Sequence, residues 1–218
     1  TTDTDGDGWG DDIEVEAGSS PSDEADMPRL PRTPVHILAS SPAPTSRNSG
    51  ARFCGSAASL PGQSDLDRIW IDGSESIHLG DKFTLETRVY MRAFNARSSI
   101  LVDKYRPTNN EREYRFSITP NGALRMWFSR DGSSSNTVSL TSSDGVIGLE
   151  EWTHVATTYN GVSLKLFVDG VIVATEEVSG LPTQDGENRR IALGSNGFDS
   201  HFWDESSNAL VDEVRLSD

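Results

Sequence analysis

From about residue 51 onward, apolar side chains recur at every second position. Phe83, Leu85, Thr87 and Val89 alternate with Thr84, Glu86, Arg88 and Tyr90, which predicts a strand with one face in a core and the other partly wet. Tyr114, Phe116 and Ile118 repeat the pattern. Pro120 and Asn121-Gly122 break it, and Leu124, Met126 and Phe128 resume it, which predicts a hairpin. A second series runs from Val155-Ala156-Thr157-Thr158-Tyr159 through Asn160-Gly161 to Leu164, Leu166 and Val168. Asp169-Gly170 then leads into Val171-Ile172-Val173. Asn or Asp before Gly relieves the strain of positive φ, so both dipeptides predict two-residue turns between three antiparallel strands. Ile191-Ala192-Leu193-Gly194 and the stretch from Leu210 to Leu216 supply two further strands. No window shows a helical stripe, so the expected fold is all-β, an antiparallel β-sandwich of two packed sheets.

The first fifty residues obey no such period. Residues 1–27 are acidic and rich in Gly and Ser, and residues 28–49 carry Pro28, Pro31, Pro34, Pro42 and Pro44 among serines. The second stretch reads as an extended linker, pinned to the sandwich by Val35, Ile37 and Leu38. The expected organisation is therefore an acidic segment (1–27), a linker (28–49) and a sandwich (50–218).

Composition sharpens this in two ways. Ten of the 34 acidic side chains and none of the 19 basic ones fall in residues 1–28, so much of the formal charge of −15 is concentrated there. Such a field repels nucleic acid and anionic lipid, and no basic cluster interleaved with aromatics offsets it. Nor does any apolar run reach bilayer length, so neither nucleic acid nor membrane insertion is expected. The single cysteine, Cys54, excludes an internal disulfide and is expected to be a buried thiol beside Phe53. The Asp-rich opening resembles no export signal, so the chain reads as part of a larger exported protein.

The acidic segment contains Asp3-Thr4-Asp5-Gly6-Asp7-Gly8-Trp9-Gly10-Asp11-Asp12-Ile13-Glu14. A twelve-residue calcium loop takes side-chain oxygens from positions 1, 3 and 5, a backbone carbonyl from 7, a direct or water-linked ligand at 9 and a bidentate carboxylate at 12, with glycine at 6 for the turn. Asp3, Asp5, Asp7, Trp9, Asp11 and Glu14 occupy those ligand positions, and Gly8 is the glycine. A solvated acidic tail would have no reason for this spacing. Calcium is thus the expected cofactor, and the loop orders when calcium neutralises its carboxylates. The segment Asp3 to Asp23 resembles the thrombospondin type 3 repeat found between domains of bacterial secreted proteins. It departs at Gly18-Ser19-Ser20-Pro21, where the repeat has Gly-Thr-Asp-Pro. The resemblance implies a calcium-stiffened spacer and a secreted or cell-surface location.

Several phrases of the sandwich segment occur in a characteristic order: Phe83-Thr84-Leu85-Glu86, Trp152-Thr153-His154-Val155-Ala156, Leu166-Phe167-Val168-Asp169-Gly170, Ile191-Ala192-Leu193-Gly194 and Val211-Asp212-Glu213-Val214-Arg215. Residues 50–218 therefore resemble a laminin-G-like, pentraxin-like domain of the concanavalin A-like jelly-roll superfamily. The entry to the last strand, Phe202-Trp203-Asp204-Glu205, departs from the family's Phe-x-Gly-x-Ile-Asp. In this reading Trp152 is a core anchor, His154 a packing or hydrogen-bonding residue, and Asp212 and Glu213 point to opposite faces of one strand.

The superfamily includes polysaccharide-degrading enzymes, so catalysis has to be weighed. Glu111 and Glu113 have strand spacing for a two-carboxylate site, but they flank Arg112 at the ragged start of a strand and read as surface charge. No Gly-x-Ser-x-Gly elbow occurs, and His36, His78, His154 and His201 lack metal-site spacing. The chain is expected not to be an enzyme. Sugars stack on exposed aromatics and are oriented by amides and carboxylates. The densest such loop holds Phe198, His201, Trp203, Asp204, Glu205 and Asn208, and a second holds Tyr105 and Asn109. The resemblance adds Asp65, Asp67, Asp131, Asp144, Asp199, Asp204 and Glu205 as acids that could lie at a calcium-binding rim. The expected function is lectin-like carbohydrate binding, with a polysaccharide or a glycoprotein glycan and the neighbouring domains of a parent protein as partners. The alternative is an adhesion or structural module.

Overall fold

In the computed structural model, the described residues are 35–36, 46–47, 52–54, 57–62, 68–71, 78–106, 110–180, 182, 190–196 and 205–217. The chain divides into two units, Thr1–Pro34 and Val35–Asp218, and every described residue belongs to the second. The strands in chain order are β1 (Val35–His36), β2 (Ser46–Arg47), β3 (Arg52–Cys54), β4 (Ala57–Pro61), β5 (Ile69–Ile71), β6 (Phe83–Ala93), β7 (Ser99–Arg106) and β8 (Glu111–Ile118), followed by β9 (Leu124–Ser129), β10 (Thr137–Thr141), β11 (Trp152–Tyr159), β12 (Ser163–Val168), β13 (Val171–Glu177), β14 (Ile191–Leu193) and β15 (Asn208–Ser217). They form two antiparallel sheets. One runs β13-β12-β11-β6-β15-β4-β3, with β1 also paired to β15, and the other runs β10-β9-β8-β7-β14-β5-β2. Two pieces of the proline-rich stretch are thus strands, pairing with β15 and β5.

The period-2 pattern builds the core as expected. Phe83, Leu85 and Val89 of β6 and Leu164 and Leu166 of β12 face Tyr114, Phe116 and Ile118 of β8 and Leu124, Met126 and Phe128 of β9 across the interior. Phe83, Phe128 and Tyr159 join in one aromatic group, with Phe83 and Phe128 edge to face at 6.4 Å.

Only one of the Asn-Gly and Asp-Gly turns in the second series is the two-residue turn predicted. Asp169 and Gly170 both take positive φ (47° and 78°) between the paired Val168 and Val171. At Asn160-Gly161, only Gly161 is in the positive region (93°), so Gly161 and Val162 form the corner. Asn160 instead braces the turn, its Oδ1 accepting hydrogen bonds from the backbone of Val162 (3.0 Å) and Ser163 (2.8 Å). The first hairpin closes through Pro120-Asn121-Gly122, with the Gly122 amide donating to Thr119 O (3.0 Å) and Gly122 at φ 73°.

Three further expectations are corrected. Trp152 is not a core anchor: it lies on the outer face of its sheet, 40% exposed, with its ring 5.9 Å from Tyr90, because Thr153, Val155, Thr157 and Tyr159 are the inward positions of β11. Asp212 and Glu213 do not point to opposite faces. A bulge between Asp212 and Arg215, with Glu213 at φ 50°, keeps both out of the core and returns Val214 and Leu216 to it. Glu113 is not surface charge but is completely buried. A bulge at the Lys104/Tyr105 step makes it the extra residue of β8, and it turns toward Lys104 and His78. The side-chain burial expected of Cys54 lies outside the described part of the structure.

Candidate functional site

The outer face of the seven-stranded sheet carries the side chains that alternate with the core positions. Registers across five strands bring one of these from each strand into a single row. Trp127 of β9 lies opposite Arg115 of β8, Arg115 opposite Asp103 of β7, Asp103 opposite Ala192 of β14, and Ala192 opposite Trp70 of β5. Four strand spacings separate the two tryptophans, about 19 Å. The rings of Trp70 and Trp127 are partly exposed, whereas Ala192 and Asp103 between them are fully buried.

That ion pair is the fixed point of the face. Arg115 Nε donates to Asp103 Oδ1 at 2.8 Å, Nη2 donates to Oδ2 at 3.4 Å, and Nη1 reaches Glu205 Oε2 at 3.3 Å. The Asp103 side chain is fully buried and receives the guanidinium in two-pronged geometry, which holds both groups in one orientation. Burial by itself lowers the Arg115 pKa, but Asp103, through its charge and hydrogen bond, and then Glu205 outweigh it and raise the value above the usual arginine range. The guanidinium also lies over the Tyr105 ring, 4.5 Å from its centroid, and Tyr105 meets Trp127 edge-on at 5.1 Å. At the other end Arg68 covers Trp70 at 4.6 Å and donates to Asn196 O at 2.9 Å, while Asn196 Nδ2 donates to Glu205 Oε2 at 3.4 Å. The face thus presents aromatic surface flanking a rigid charged centre.

Behind this face lies a polar group inside the sandwich. Lys104 Nζ is 2.7 Å from Glu113 Oε2, and His78 Nδ1 is 2.7 Å from Glu113 Oε1 and 2.9 Å from Lys104 Nζ. Lys104 and Asp103 are successive residues of β7 and point to opposite faces, so the buried group braces the strand pair that carries the Asp103–Arg115 bridge.

Two residues from separate expected binding loops meet here: Tyr105 and Glu205 lie against the same Arg115 guanidinium. Asn208 does not join them. It belongs to β15 in the other sheet, opposite Ala93 and Pro61. Asn109, Phe198, His201, Trp203 and Asp204 lie outside the described residues, as do Asp3, Asp5, Asp7, Trp9, Asp11 and Glu14 and the rim acids Asp65, Asp67 and Asp199. Of the remaining rim acids, Asp131 accepts hydrogen bonds from Ser133 N (2.9 Å) and Asn136 (3.2 Å), and Asp144 accepts one from Asn121 (3.1 Å). No three His, Cys, Asp or Glu side chains converge as metal ligands among the described residues.

Sequence reading missed Trp70, Asp103, Arg115 and Trp127. A signal did exist for two of them: Arg115 and Trp127 occupy the wet phase of two strongly alternating strands, and a tryptophan on a wet phase needs a reason other than the core. Nothing in the sequence aligns them with Asp103 and Trp70.

Among solved structures, the chain resembles domain 4 of AbnA, an extracellular arabinanase of glycoside hydrolase family 43 from Geobacillus stearothermophilus, determined in complex with arabinotriose. The TM-score is 0.50 at 22% identity, over 74% of this chain and 70% of that one. It also resembles a botulinum neurotoxin type C structure whose description links cell entry to interaction with two ganglioside molecules (TM-score 0.57, 13% identity, 79% of this chain and 42% of that one). The binding domain of botulinum neurotoxin serotype D/C is similar too, with a TM-score of 0.58 and 13% identity over 78% of this chain and 42% of that one. The chain therefore spans well under half the length of either neurotoxin chain, and these likenesses establish the fold alone. No curated protein matches the chain in sequence. A family profile described as the concanavalin A-like lectin/glucanases superfamily, of laminin G type, matches residues 67–218, well over half of the chain. With two antiparallel sheets closing on one apolar interior, the chain belongs to the concanavalin A-like lectin/glucanases superfamily.

Proposed function

We propose that this chain is a non-catalytic carbohydrate-binding module and that an oligosaccharide lies along the row from Trp70 to Trp127. The observation that carries the reading is the row itself: aromatic surface at both ends of an outer sheet face, with polar groups fixed between them. Sugar rings present C–H faces that stack on aromatic rings and hydroxyls that need oriented donors and acceptors, and this face offers both. The solved complex of the similar arabinanase domain with arabinotriose, and the ganglioside interaction named for the similar neurotoxin, support a sugar as the ligand class.

The carboxylates nearest the row favour binding over hydrolysis. Glycosidic cleavage needs one protonated and one ionised carboxyl group on either side of the scissile bond. Asp103 and Glu205 are both engaged by the one Arg115 guanidinium, at 2.8 and 3.3 Å, rather than set on either side of a cleft.

Calorimetric titration of the whole chain with arabinotriose and a panel of oligosaccharides tests the reading. Trp127→Ala should weaken binding about tenfold or more without changing the melting temperature. Retention of full affinity by both Trp127→Ala and Trp70→Ala would overturn it, as would release of reducing ends from a bound polysaccharide. Adhesion to another protein is the second reading, favoured by Val171 and Ile172, which stand 64% and 52% exposed on the edge strand β13. It predicts that polar substitutions there abolish partner capture and leave sugar binding untouched.

The amino-terminal loop is proposed to bind calcium through Asp3, Asp5, Asp7, Asp11 and Glu14 and the Trp9 carbonyl, and to stiffen a spacer of the thrombospondin type 3 kind. Its support is the alternation of carboxylates with Gly8 at the turn. A secreted or cell-surface bacterial protein, with neighbouring domains as partners, is the setting in which such a spacer would act.

A further inference from the structure

Although the chain has a formal charge of −15, the proposed binding row is bordered by arginines. Arg125 precedes Trp127 by two residues on β9 and therefore shares its face, lying opposite Ser117 and Thr141. Its Nε donates to Thr141 Oγ1 at 3.0 Å, and neither terminal nitrogen has a partner among the described residues. Arg112 lies opposite Tyr105 on the other side of Trp127 along the strands. Among the described residues it is held by neutral acceptors only: Tyr105 Oη at 3.3 Å, Gly132 O at 3.1 Å and Asn110 Oδ1 at 3.4 Å. That cradle is built with care. Asn110 and Gly132 both take positive φ (57° and 79°), and a Cβ at Gly132 would collide with the Asn110 carbonyl. Arg112 Nη2 likewise has no partner among the described residues.

The contrast with Arg115 is informative. That guanidinium is neutralised by two carboxylates, whereas Arg112 and Arg125 face none among the described residues and each is oriented by neutral acceptors. At the other end Arg68 and Arg190 stand over the Trp70 ring. A neutral sugar needs hydrogen-bonding groups but gives no reason to set two guanidiniums with open N–H groups on either side of the Tyr105–Trp127 pair. Arg125 can offer a carboxylate two parallel N–H bonds from its terminal nitrogens and Arg112 a single-ended contact from Nη2, and such charge-assisted bonds are roughly twice as strong as neutral ones.

Resting on the carbohydrate reading above, we infer that the ligand is an acidic glycan, and that Arg112 and Arg125 read its carboxylates while the Trp127 ring, braced edge-on by Tyr105, stacks on the sugar. The carboxylate could belong to a uronic acid or to a sialic acid, and the experiment separates the two.

The affinity of the whole chain is measured by calorimetry for trigalacturonate and its methyl ester, and for sialyllactose and lactose. In whichever pair carries the right sugar, the acidic member should bind about tenfold or more tightly than its neutral counterpart. That preference should shrink as salt is raised. Arg125→Gln and Arg112→Gln should each remove on the order of tenfold from acidic binding and leave neutral binding within about twofold, and Arg125→Lys, which keeps the charge but loses the planar fork, should keep only part of the preference. Trp127→Ala should weaken both members of the pair. Equal affinity for acidic and neutral members, still sensitive to Trp127→Ala, would overturn the inference and leave the carbohydrate reading standing. Binding of none of the four sugars would count against both.

Discussion

Replacing Lys104 with methionine tests how the ion pair buried inside the sandwich contributes to stability. The Lys104 and Glu113 side chains are each 1% exposed and their charged atoms are 2.7 Å apart. At an effective dielectric of about 20, the attraction at that distance is about 6 kcal/mol, and burying the two ions opposes it by several kcal/mol each. The intact pair therefore contributes little net stability. Lys104→Met keeps most of the packing volume but takes from the buried Glu113 carboxylate the ammonium at 2.7 Å, and it should cost about 3–5 kcal/mol. Glu113→Gln takes from the buried ammonium its carboxylate partner and should cost a similar amount. The double variant Lys104→Met/Glu113→Gln removes both charges of the pair and should return to within about 2 kcal/mol of the parent, a coupling of about 3 kcal/mol. Equilibrium unfolding in urea, with midpoint and slope fitted separately, measures all four corners of the cycle. Because Lys104 points inward while Asp103 points to the row, the double variant should bind sugar as the parent does. Two results would refute the reasoning: a Lys104→Met cost below about 1 kcal/mol, or a double variant whose loss equals the sum of the singles.

Other expectations are simpler to state. Gly194→Ala should destabilise by about 2–4 kcal/mol, because Gly194 sits at φ 89° and a Cβ would come within 2.5 Å of the fully buried Leu60 side chain; an unchanged melting temperature would contradict this. The hydrogen bonds from Ser133, side chain first and then backbone, and from Asn136 hold the exposed Asp131 carboxylate below the ordinary aspartate value. A depressed value means that its contribution to stability is present above the unfolded-chain pKa and is lost as pH falls through the folded one. A carboxyl titration followed by NMR with a midpoint at or above the ordinary aspartate value would contradict that account. Calcium should titrate into the amino-terminal loop with an affinity of roughly 0.1–1 mM, and Asp5→Asn/Glu14→Gln should abolish the heat. Identical proteolysis of residues 1–50 in chelator and in excess calcium would count against the stiffened spacer.

The sequence by itself determined which residues of each strand enter the core. Side chains alternate strictly across a strand, so Phe83-Leu85-Val89 and Leu124-Met126-Phe128 could point only one way once an apolar interior formed. It also determined the Asp169-Gly170 turn, because positive φ at two successive positions is a local demand that this dipeptide meets. The tertiary structure decided everything that depends on register. Trp127, Arg115, Asp103 and Trp70 are far apart along the chain, and only pairing through β8, β7 and β14 aligns them. Bulges decided the exceptions. Glu113 reads as an alternating surface residue until one extra residue in β8 turns it inward, and Glu213 shares a side with Asp212 because one extra residue in β15 shifts the phase. Trp152 shows the same limit, since its phase follows from the strand but its size suggested a core the strand does not give it. Alternation is a property of one strand and can be read locally, whereas a binding face belongs to several strands at once and exists only after their hydrogen-bond ladders have fixed which residues stand side by side.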